Sequence, residues 1–598
     1  MTDSSKNVNF IYHFTRKKDA IQNNTVMNIL LIYPPPWEIP EPGHPPEPSP
    51  DGPPPGMDPA ALLQGDILHL PAGLLSLAAQ ARRAGHTVEV LNLFTLPWAR
   101  ISALLARRPA DVAGLSCFTS NRRGMLALAR LLRQLHPKIH IAVGGPHASS
   151  LAREMLEHAS AIDTVICGEG EAVFARLLEE LAEGRQPAGI PGTAYRSNGH
   201  ILLAAPQPLI EALDSLAPAC DYAPDHIVMT SRGCAWDCSF CASAGMWGRK
   251  VRSHSLEYVL NMLDVLVNRA GQKALAIKDE TFTLDRDRVL SLCKGIREQG
   301  LNFLWSCDTR ADSLDRELLL KMRLAGCVRI SLGLESASDG LLARIGKGIA
   351  PQDAARGVAL ARELGFQVRL YMIVGAPGET RQTLEESIAF VRSCRPTEVI
   401  WNPYTVFPGT RDFHDAVQRG EISAEFFFTE NFFELTPLLN RDDEDARFCI
   451  RWLRENQGLR QEAGYSAGER LEILERLPRL HAAHLDLAAA WHAEGRHEQA
   501  RASANRALQL EYPLPGLCHN LLACAAAGAG DLQAALAELI AAKNRGFHAV
   551  VERNIEAAQR WIKAGGPEAG FPLALEADCS FEITRLLAQP LLPGPVPE

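Results

Sequence analysis

The chain has 598 residues, and its 61 Lys and Arg against 70 Asp and Glu give a formal net charge of −9. This acidic balance excludes the electrostatic footprint of a general nucleic-acid-binding protein, and no apolar run approaches the roughly 18 residues of a membrane span. At about 150 residues per domain, the length predicts three or four domains. Its 14 cysteines are too sparse for a disulfide scaffold and no secretory leader is visible, so we expect cytoplasmic thiols or metal ligands.

The N-terminal region begins with two segments that lack regular patterns. Residues 1–26 are polar and without apolar periodicity, which predicts a flexible arm or a wrongly assigned start ahead of Met27. Residues 34–59 contain 13 prolines. Because proline is excluded from helix interiors and central strands, this stretch is predicted to be an extended surface loop.

Strand-like and helical runs alternate from residue 27 to residue 195. Amphipathic helices such as Met125–Leu135 separate the strands, and this alternation predicts an α/β domain with a doubly wound, Rossmann- or flavodoxin-like parallel sheet. Ligands of such sheets bind outside the carboxyl ends of the strands. The predicted strands are Met27–Tyr33, Thr87–Leu91, Asp111–Cys117, Ile139–Val143 and Thr164–Cys167.

A second alternating series follows a proline-rich linker at 196–225 and extends over residues 226–436. Its six β/α units predict a partial TIM-type (β/α)6 barrel with the active site at the carboxyl-terminal rim of the strands. The predicted strands are Ile227–Ser231, Ala274–Lys278, Phe303–Ser306, Val328–Leu334, Gln367–Val374 and Val399–Tyr404.

The C-terminal part is predicted to be all helical, with a connector at 437–470, repeats at 471–566 and a tail at 567–598. The repeat spacing resembles the tetratricopeptide pattern, although Tyr512 stands where that pattern has proline. A plain helical bundle is the alternative. The positions that recur after 35 residues are Leu487, Gly495, Ala500 and Ala507, which match Leu522, Gly530, Ala535 and Ala542.

Three cysteines, Cys234, Cys238 and Cys241, stand within eight residues in Arg-Gly-Cys-Ala-Trp-Asp-Cys-Ser-Phe-Cys. Three thiolates suit a 4Fe–4S cluster that keeps one iron free for a substrate. A structural zinc site normally has four protein ligands, and His254 is the only imidazole near this loop in the sequence. Zinc and merely buried thiols are the alternatives.

The C-x3-C-x2-C loop after the first strand of a partial barrel resembles the radical S-adenosylmethionine (radical SAM) superfamily. The resemblance covers about residues 226–436 and implies a 4Fe–4S cluster held by the three cysteines. The residues that it assigns to SAM are Phe240 at the adenine, Asp279 and Glu280 at the methionine amino group, Glu335 at the ribose, and Gly375 and Pro377 in an adenine-contact motif.

Other charged and thiol side chains follow these motifs. The basic residues Arg249, Lys250 and Arg252 have two interpretations. In one, they offset the charge of the cluster or hold the SAM carboxylate. In the other, they form a solvated surface. The same two interpretations stay open for Lys347. Cys307 and Arg310 end the third strand of the second series, and a small core residue is the better interpretation of Cys307.

The N-terminal α/β domain is similar to the cobalamin-binding module fused to one radical SAM branch. The resemblance rests on stretches beginning at Leu70, Ala113, Gly144 and Gly168. The alternative is a flavodoxin-like domain that binds another nucleotide or nothing. The residues implied to bind cobalamin are Gly73, Leu74, Ser116, Thr119, Gly144, Gly145, His147, Gly168, Glu169 and Gly170.

The sequence lacks the Asp-x-His-x-x-Gly motif that supplies a lower cobalt ligand in many cobalamin proteins. The resemblance therefore implies a base-off cobalamin without a histidine from that motif below cobalt. His147 is a candidate lower ligand, but we expect it to shape the Gly-Gly-Pro-His loop instead.

The resemblance implies cleavage of SAM to a 5′-deoxyadenosyl radical that abstracts hydrogen from an unactivated carbon. The leading hypothesis is methylation of a carbon or phosphorus centre of a small molecule or peptide. The alternatives are a radical cyclase or rearrangement enzyme, like anaerobic magnesium-protoporphyrin IX monomethyl ester cyclase, and a cobalamin sensor or repeat scaffold. Flavodoxin or ferredoxin is the expected electron donor, and the repeats are a surface for a protein partner.

Overall fold

The computed structural model describes residues 25–40, 71–429, 443–456, 464–546, 548–569 and 572–577, and the backbone of residues 11 and 12. Most of the predicted N-terminal arm, the proline-rich loop beyond residue 40 and most of the predicted tail lie outside the described residues. No helix in the ranges just given is long and apolar enough to cross a bilayer.

The first sheet has eight strands among the described residues. They are β1 (Ile11–Tyr12), β2 (Asn28–Tyr33), β3 (Thr87–Asn92), β4 (Val112–Ser116), β5 (His140–Gly144), β6 (Thr164–Ile166), β7 (Thr193–Ser197) and β8 (His200–Leu203). Their spatial order is β1-β3-β2-β4-β5-β6-β7-β8, and β2 to β6 are parallel. The five predicted strands and the doubly wound fold are confirmed. The antiparallel β7–β8 hairpin extends the sheet into the predicted linker.

The central strands of this sheet are apolar because helices cover both faces. All five residues of β4 are buried, and so are five of the six residues of β2. From β2 the chain first adds β3 on one side and then β4 on the other. This reversal opens a crevice at the carboxyl ends of β2 and β4, where ligands of doubly wound sheets bind. The helices of this region are Ala72–Arg83, Trp98–Ala106, Arg122–Leu135, Pro146–Ser150, Ala152–His158 and Gly170–Ala182.

The second sheet confirms the partial barrel. Its region contains β9 (Ile227–Val228), β10 (Ser231–Arg232), β11 (Arg252–Ser253), β12 (Ala274–Ile277), β13 (Leu304–Thr309), β14 (Cys327–Glu335), β15 (Gln367–Val374) and β16 (Glu398–Pro403). Six of these strands are parallel in the order β16-β15-β14-β13-β12-β9, whereas β10 and β11 form a separate antiparallel pair. This pair encloses the cysteine loop between its two strands.

Amphipathic helices cover the outer face of the partial barrel. Their buried residues join the inner residues of the strands in one large apolar core. The helices of this region are Leu256–Asp264, Arg286–Glu298, Arg316–Leu324, Asp339–Arg344, Pro351–Glu363, Arg381–Cys394, Arg411–Gln418, Phe426–Thr429 and Glu444–Asn456, and the short helix Ser243–Trp247 directly follows the cysteine loop.

The C-terminal helices are Ala467–Arg476, His481–Ala493, His497–Gln509, Pro515–Gly528, Leu532–Lys543 and Ala549–Lys563. Consecutive helices pack against each other, and buried alanines at the repeating positions, such as Ala507 and Ala542, permit close approach. The helices share an apolar core with Ala274, Leu304 and Val328 at the amino-terminal starts of barrel strands. The helical region therefore covers the end of the barrel opposite the cysteine loop. The tetratricopeptide assignment itself stays a prediction.

Candidate functional site

A cavity of about 520 Å³ lies between the carboxyl edge of the first sheet and the mouth of the barrel. Eight of the ten residues predicted to bind cobalamin line it. They are Gly73, Leu74, Ser116, Gly144, Gly145, Gly168, Glu169 and Gly170. The opposite wall comes from the barrel half, and its members include Arg232, Ala242, Ser243, Trp247, Tyr258 and Lys278.

Glycine keeps the first-sheet wall of this cavity open. A Cβ added at Gly73 or Gly168 would meet nothing within 4 Å, and Gly168 has a φ of +77° that favours glycine. Leu74, Phe118 and Phe174 add apolar surface. A wide ring such as that of cobalamin fits a wall of this kind because side chains do not fill the space in front of the strand ends.

Thr119 and His147 do not line the cavity. His147 is buried, its Nδ1 lies 3.0 Å from Thr119 Oγ1, and its ring packs edge-on against Phe427. Burial, assisted by the charge of Arg122, lowers the pKa of His147 to about 3. These contacts agree with the expectation that His147 shapes its loop.

A buried network of four charges joins the two halves beside the cavity. Arg232, which starts the cysteine loop, donates to Glu169 at 2.8 Å and to Glu171 at 2.6 Å. Arg252 donates to Glu169 at 2.8 Å, and Ser76 donates to Glu171 at 2.8 Å. Burial would raise the pKa of Glu171, but the charge and hydrogen bonds of Arg232 hold it below the ordinary value. Glu169, predicted to bind cobalamin, and Arg252, for which a cofactor contact and a solvated surface were both open, hold the two halves together.

The cysteine loop is fixed on both sides by the barrel. Gly233 has a φ of +101°, and a Cβ there would lie 2.4 Å from the carbonyl oxygen of Lys250. The guanidinium of Arg310 lies 3.8 Å from the ring centre of Trp236, within the loop. Asp412 accepts a 2.9 Å hydrogen bond from the Ser239 hydroxyl. Arg310 therefore supports the loop and does not project freely into the cavity.

The three thiols of Cys234, Cys238 and Cys241 lie within electrostatic range of one another, and those of Cys238 and Cys241 lie within range of Lys347. Burial raises the pKa of the Cys238 and Cys241 thiols, and Lys347 opposes this effect. Throughout the described ranges, no three His, Cys, Asp or Glu side chains are placed to hold one metal ion. His254, the imidazole considered for zinc, pairs with a carboxylate oxygen at 2.8 Å instead.

The donor set of this loop, three thiolates, suits an iron–sulfur cluster better than a structural zinc ion. Zinc–thiolate bonds of about 2.3 Å would draw the sulfurs to within about 4 Å of one another. An iron–sulfur cube binds each thiolate through a different iron and tolerates wider spacing. The donor set of three thiolates with no fourth protein ligand among the described residues leaves one cluster iron for SAM.

Asp279 and Glu280, predicted together, occupy different environments. Asp279 is buried and accepts hydrogen bonds from the backbone N–H and hydroxyl of both Thr230 and Ser231. Its carboxylate is therefore committed to the segment that links β9 to β10. Glu280 Oε2 is buried without a hydrogen-bond partner among the described residues, and burial raises its pKa to about 6. Glu280 fits an incoming ammonium group.

Glu335 forms a buried ion pair at the end of β14. Its Oε1 lies 2.9 Å from Lys347 Nζ, and its φ of +76° is unusual for a residue with a side chain. A Cβ at Gly333 would lie 2.6 Å from Glu335 Oε1 and 2.9 Å from Lys347 Nζ. Burial would lower the pKa of Lys347, but Glu335 and Cys238 outweigh it and raise the pKa. Lys347, whose role the sequence left open, thus holds Glu335 next to the cysteines.

The remaining SAM candidates lie at the same rim. Phe240 is half-buried against the barrel core. Gly375, with a φ of +91°, ends β15, and its N–H donates to the Glu379 carboxylate. Pro377 follows in the same turn, and its carbonyl accepts a 3.1 Å hydrogen bond from Arg344.

The basic run separates into different environments, and Cys307 belongs to the core. Arg249 pairs with Asp237, and Lys250 pairs with Glu211 at 2.5 Å, both on the surface. Arg252 is buried in the network described above. Cys307 is buried in the barrel core, as expected for a small core residue.

Lys278 is a cavity residue that the sequence did not single out. It ends the β12 segment, lines the cavity, and its Nζ lies 3.1 Å from the Asp308 carboxylate. Its position directly before Asp279 was the available signal, since side chains alternate between the two faces of a strand.

Two family models match the two halves of this site. The Radical SAM superfamily model matches residues 228–391, and the B12 binding domain model matches residues 65–178. An uncharacterized methyltransferase of Pyrococcus horikoshii is 31% identical over 360 residues, which cover 58% of this chain and 78% of the relative. The chain belongs to the cobalamin-binding radical SAM family.

Relatives of the chain in this family differ in activity. Anaerobic magnesium-protoporphyrin IX monomethyl ester cyclase of Rubrivivax gelatinosus is 27% identical to this chain. The alignment covers 63% of this chain and 70% of the cyclase. The solved structure of the radical SAM methyltransferase TsrM from Kitasatospora setae, with cobalamin and a [4Fe–4S] cluster, has a TM-score of 0.53 at 19% identity. That alignment covers 66% of this chain and 75% of TsrM, and it shows the shared fold.

Proposed function

We propose that this radical SAM enzyme is a cobalamin-dependent methyltransferase that modifies an unactivated carbon or phosphorus centre. One observation carries the proposal: a single cavity extends from the carboxyl edge of the first sheet to residues on both sides of the cysteine loop. Arg232 lies just before the triplet and Ala242 just after it. A cofactor seated on the first sheet would therefore face the cluster.

The residues divide among the cofactors as follows. Cys234, Cys238 and Cys241 would hold the cluster, and Glu280 would bind the SAM ammonium group. When bound, the cluster supplies the electron that cleaves SAM to a radical, and cobalamin carries the methyl group. The protein orients these groups and excludes water from them. Flavodoxin or ferredoxin is the proposed electron source.

Cobalamin is proposed to bind base-off without a protein ligand below cobalt. The nitrogen Nδ1 of His147 is engaged by Thr119, and the ring is enclosed by aromatic side chains away from the cavity lining. His254 lines the cavity but pairs with Asp214. Both arrangements support a cofactor held by the glycine-rich strand ends.

The relatives leave a second function open, because one of them is a cyclase. A cyclase would consume SAM only to form 5′-deoxyadenosine. A methyltransferase of this kind also consumes SAM as a methyl donor and releases S-adenosylhomocysteine. The ratio of these two products distinguishes the functions without knowledge of the substrate.

The experiment uses full-length chain reconstituted anaerobically with iron, sulfide and cobalamin, then reduced and given SAM. We expect absorbance near about 400 nm from the cluster, 5′-deoxyadenosine, and S-adenosylhomocysteine that depends on cobalamin. Cys238→Ala should abolish the absorbance and 5′-deoxyadenosine, whereas Cys394→Ala, at the end of a distant helix, should retain both. Formation of 5′-deoxyadenosine without S-adenosylhomocysteine would favour the cyclase. A Cys238→Ala variant that keeps the biological function of the protein would favour the sensor or scaffold hypothesis.

A further inference from the structure

The helical repeats bind a segment of their own chain. Residues 572–577 follow the last helix and have neither helical nor strand structure. They lie against the helices Pro515–Gly528 and Ala549–Lys563, which begin successive repeat units. This contact is separate from the cofactor site, because the repeats pack on the amino-terminal end of the barrel.

Two buried asparagines bind the backbone of this segment. Asn554 Nδ2 donates to the carbonyl of Glu576 at 2.8 Å, and Asn554 Oδ1 accepts from the Glu576 N–H at 2.7 Å. Asn520 Nδ2 donates to the same carbonyl at 3.0 Å. The asparagines are 34 residues apart and hydrogen-bonded to each other at 2.8 Å. They lie on the helices Pro515–Gly528 and Ala549–Lys563, so the groove is formed between two neighbouring helix pairs.

Side chains add selectivity to this backbone recognition. Leu573 is 6% exposed and packs with Leu539, Ala558 and Trp561. Arg553 donates to both carboxylate oxygens of Glu576, at 2.8 and 2.9 Å. The groove therefore selects a leucine three residues before an acidic residue in an extended chain. A bidentate arginine–carboxylate pair is specific in geometry.

We propose that this groove is a peptide-binding site for a partner protein that carries such a leucine–acidic segment, and that residues 572–577 occupy it as a displaceable intramolecular ligand. The buried carboxamides of Asn520 and Asn554 require a backbone to pair with, because an unsatisfied buried amide is costly. Any extended peptide satisfies them equally well. The ion pair that selects the peptide is partly exposed, at 45% for Arg553 and 42% for Glu576, and so can exchange.

The test is fluorescence anisotropy of a labelled peptide, Phe-Pro-Leu-Ala-Leu-Glu-Ala, titrated with the full-length chain. The intramolecular segment competes at an effective concentration in the millimolar range, so wild-type protein should bind the peptide weakly. Leu573→Ser combined with Glu576→Ala in the chain should improve the affinity by about tenfold or more. In that background, Asn554→Ala should remove binding.

A charge exchange separates peptide recognition from a purely structural contact. Arg553→Glu should reject the native peptide and accept one in which the glutamate is replaced by arginine. Arg560→Glu, a 72% exposed position on the same helix, is the matched control and should change neither affinity. SAM cleavage should be unaffected in all variants, so failure here is distinguishable from failure of the proposed function.

Two results would overturn the proposal. One is that weakening the intramolecular segment lowers the melting temperature without creating a site for the peptide, which would make residues 572–577 a structural end of the repeats. The other is that Arg553→Glu fails to exchange the peptide preference.

Discussion

Glu169→Gln tests the charge network that joins the two halves. Glu169 accepts hydrogen bonds from Arg232 and Arg252 and from the backbone N–H of Ile210 at 2.7 Å. The Glu169 side chain is 1% exposed, and the Arg252 side chain is 2% exposed. The substitution keeps the shape but removes the negative charge. The network would then contain two guanidinium groups and one carboxylate, that of Glu171.

The magnitude follows from this burial. Removing one partner of a buried, hydrogen-bonded ion pair costs about 3–5 kcal/mol, because the remaining charge is left uncompensated. In a domain of 150–250 residues, about 1 kcal/mol shifts the melting temperature by roughly 2–4 °C. We therefore expect the first thermal transition of Glu169→Gln to fall by about 6–20 °C. The matched control is Glu180→Gln, whose partner Arg185 is 53% exposed, and it should melt like the wild type.

A double-variant cycle makes the test specific to charge. Glu169→Gln leaves one excess positive charge in the network, and Arg232→Met leaves one excess negative charge. The combined variant restores balance between Arg252 and Glu171, so its loss should be smaller than the sum of the single losses. Differential scanning calorimetry measures all four proteins. Additive losses, or a Glu169→Gln variant that melts like the wild type, would refute the electrostatic interpretation.

Two further predictions concern the rim of the barrel. Asp279→Asn should lower the melting temperature because it disturbs four hydrogen bonds. Glu280→Gln should melt like the wild type and weaken SAM binding by about 10- to 100-fold. Calorimetric titration of cluster-loaded protein with SAM measures the affinity, and the reverse pattern would contradict the assignment. Burial raises the pKa of Glu379 from 4.5 to about 7, so the stability from its neutral form is complete below pH 4.5 and lost as the pH rises through 7, by about 3 kcal/mol. Glu379→Gln should therefore lose less stability between pH 5 and pH 8 than the wild type in urea unfolding, and equal losses would contradict the assignment.

The strands were predictable because apolar runs of strand length lie between turn residues and helical patterns. β15 was predicted with its observed bounds, Gln367–Val374, and the other strands differ at their ends. The β7–β8 hairpin escaped prediction. Its second strand, His200–Leu203, is largely exposed, so its sequence lacks the buried face that marks a strand.

The residue types of the site could be predicted from the sequence, but the partners of its charged side chains could not. Asp279 and Glu280 are adjacent carboxylates, but only folding brings Thr230 and Ser231 to the first of them. Arg252 looked like the end of a solvated basic run, because its partner Glu169 is 83 residues away in the chain. Long-range partners of this kind decide whether a charged side chain binds a ligand or holds the fold.

The shared construction of the cavity constrains protein engineering. Glycine-rich strand ends such as Gly168 form one wall, whereas Trp247 and Tyr258 form the other, so a fragment that stops after β8 would offer only an open half-site. Grafting a new barrel onto the first sheet to change the substrate would therefore require Arg232, Arg252 and the linker segment around Ile210 to be transplanted as well. Without them, the two half-sites would lose the buried charge pairs that align them beside the cavity.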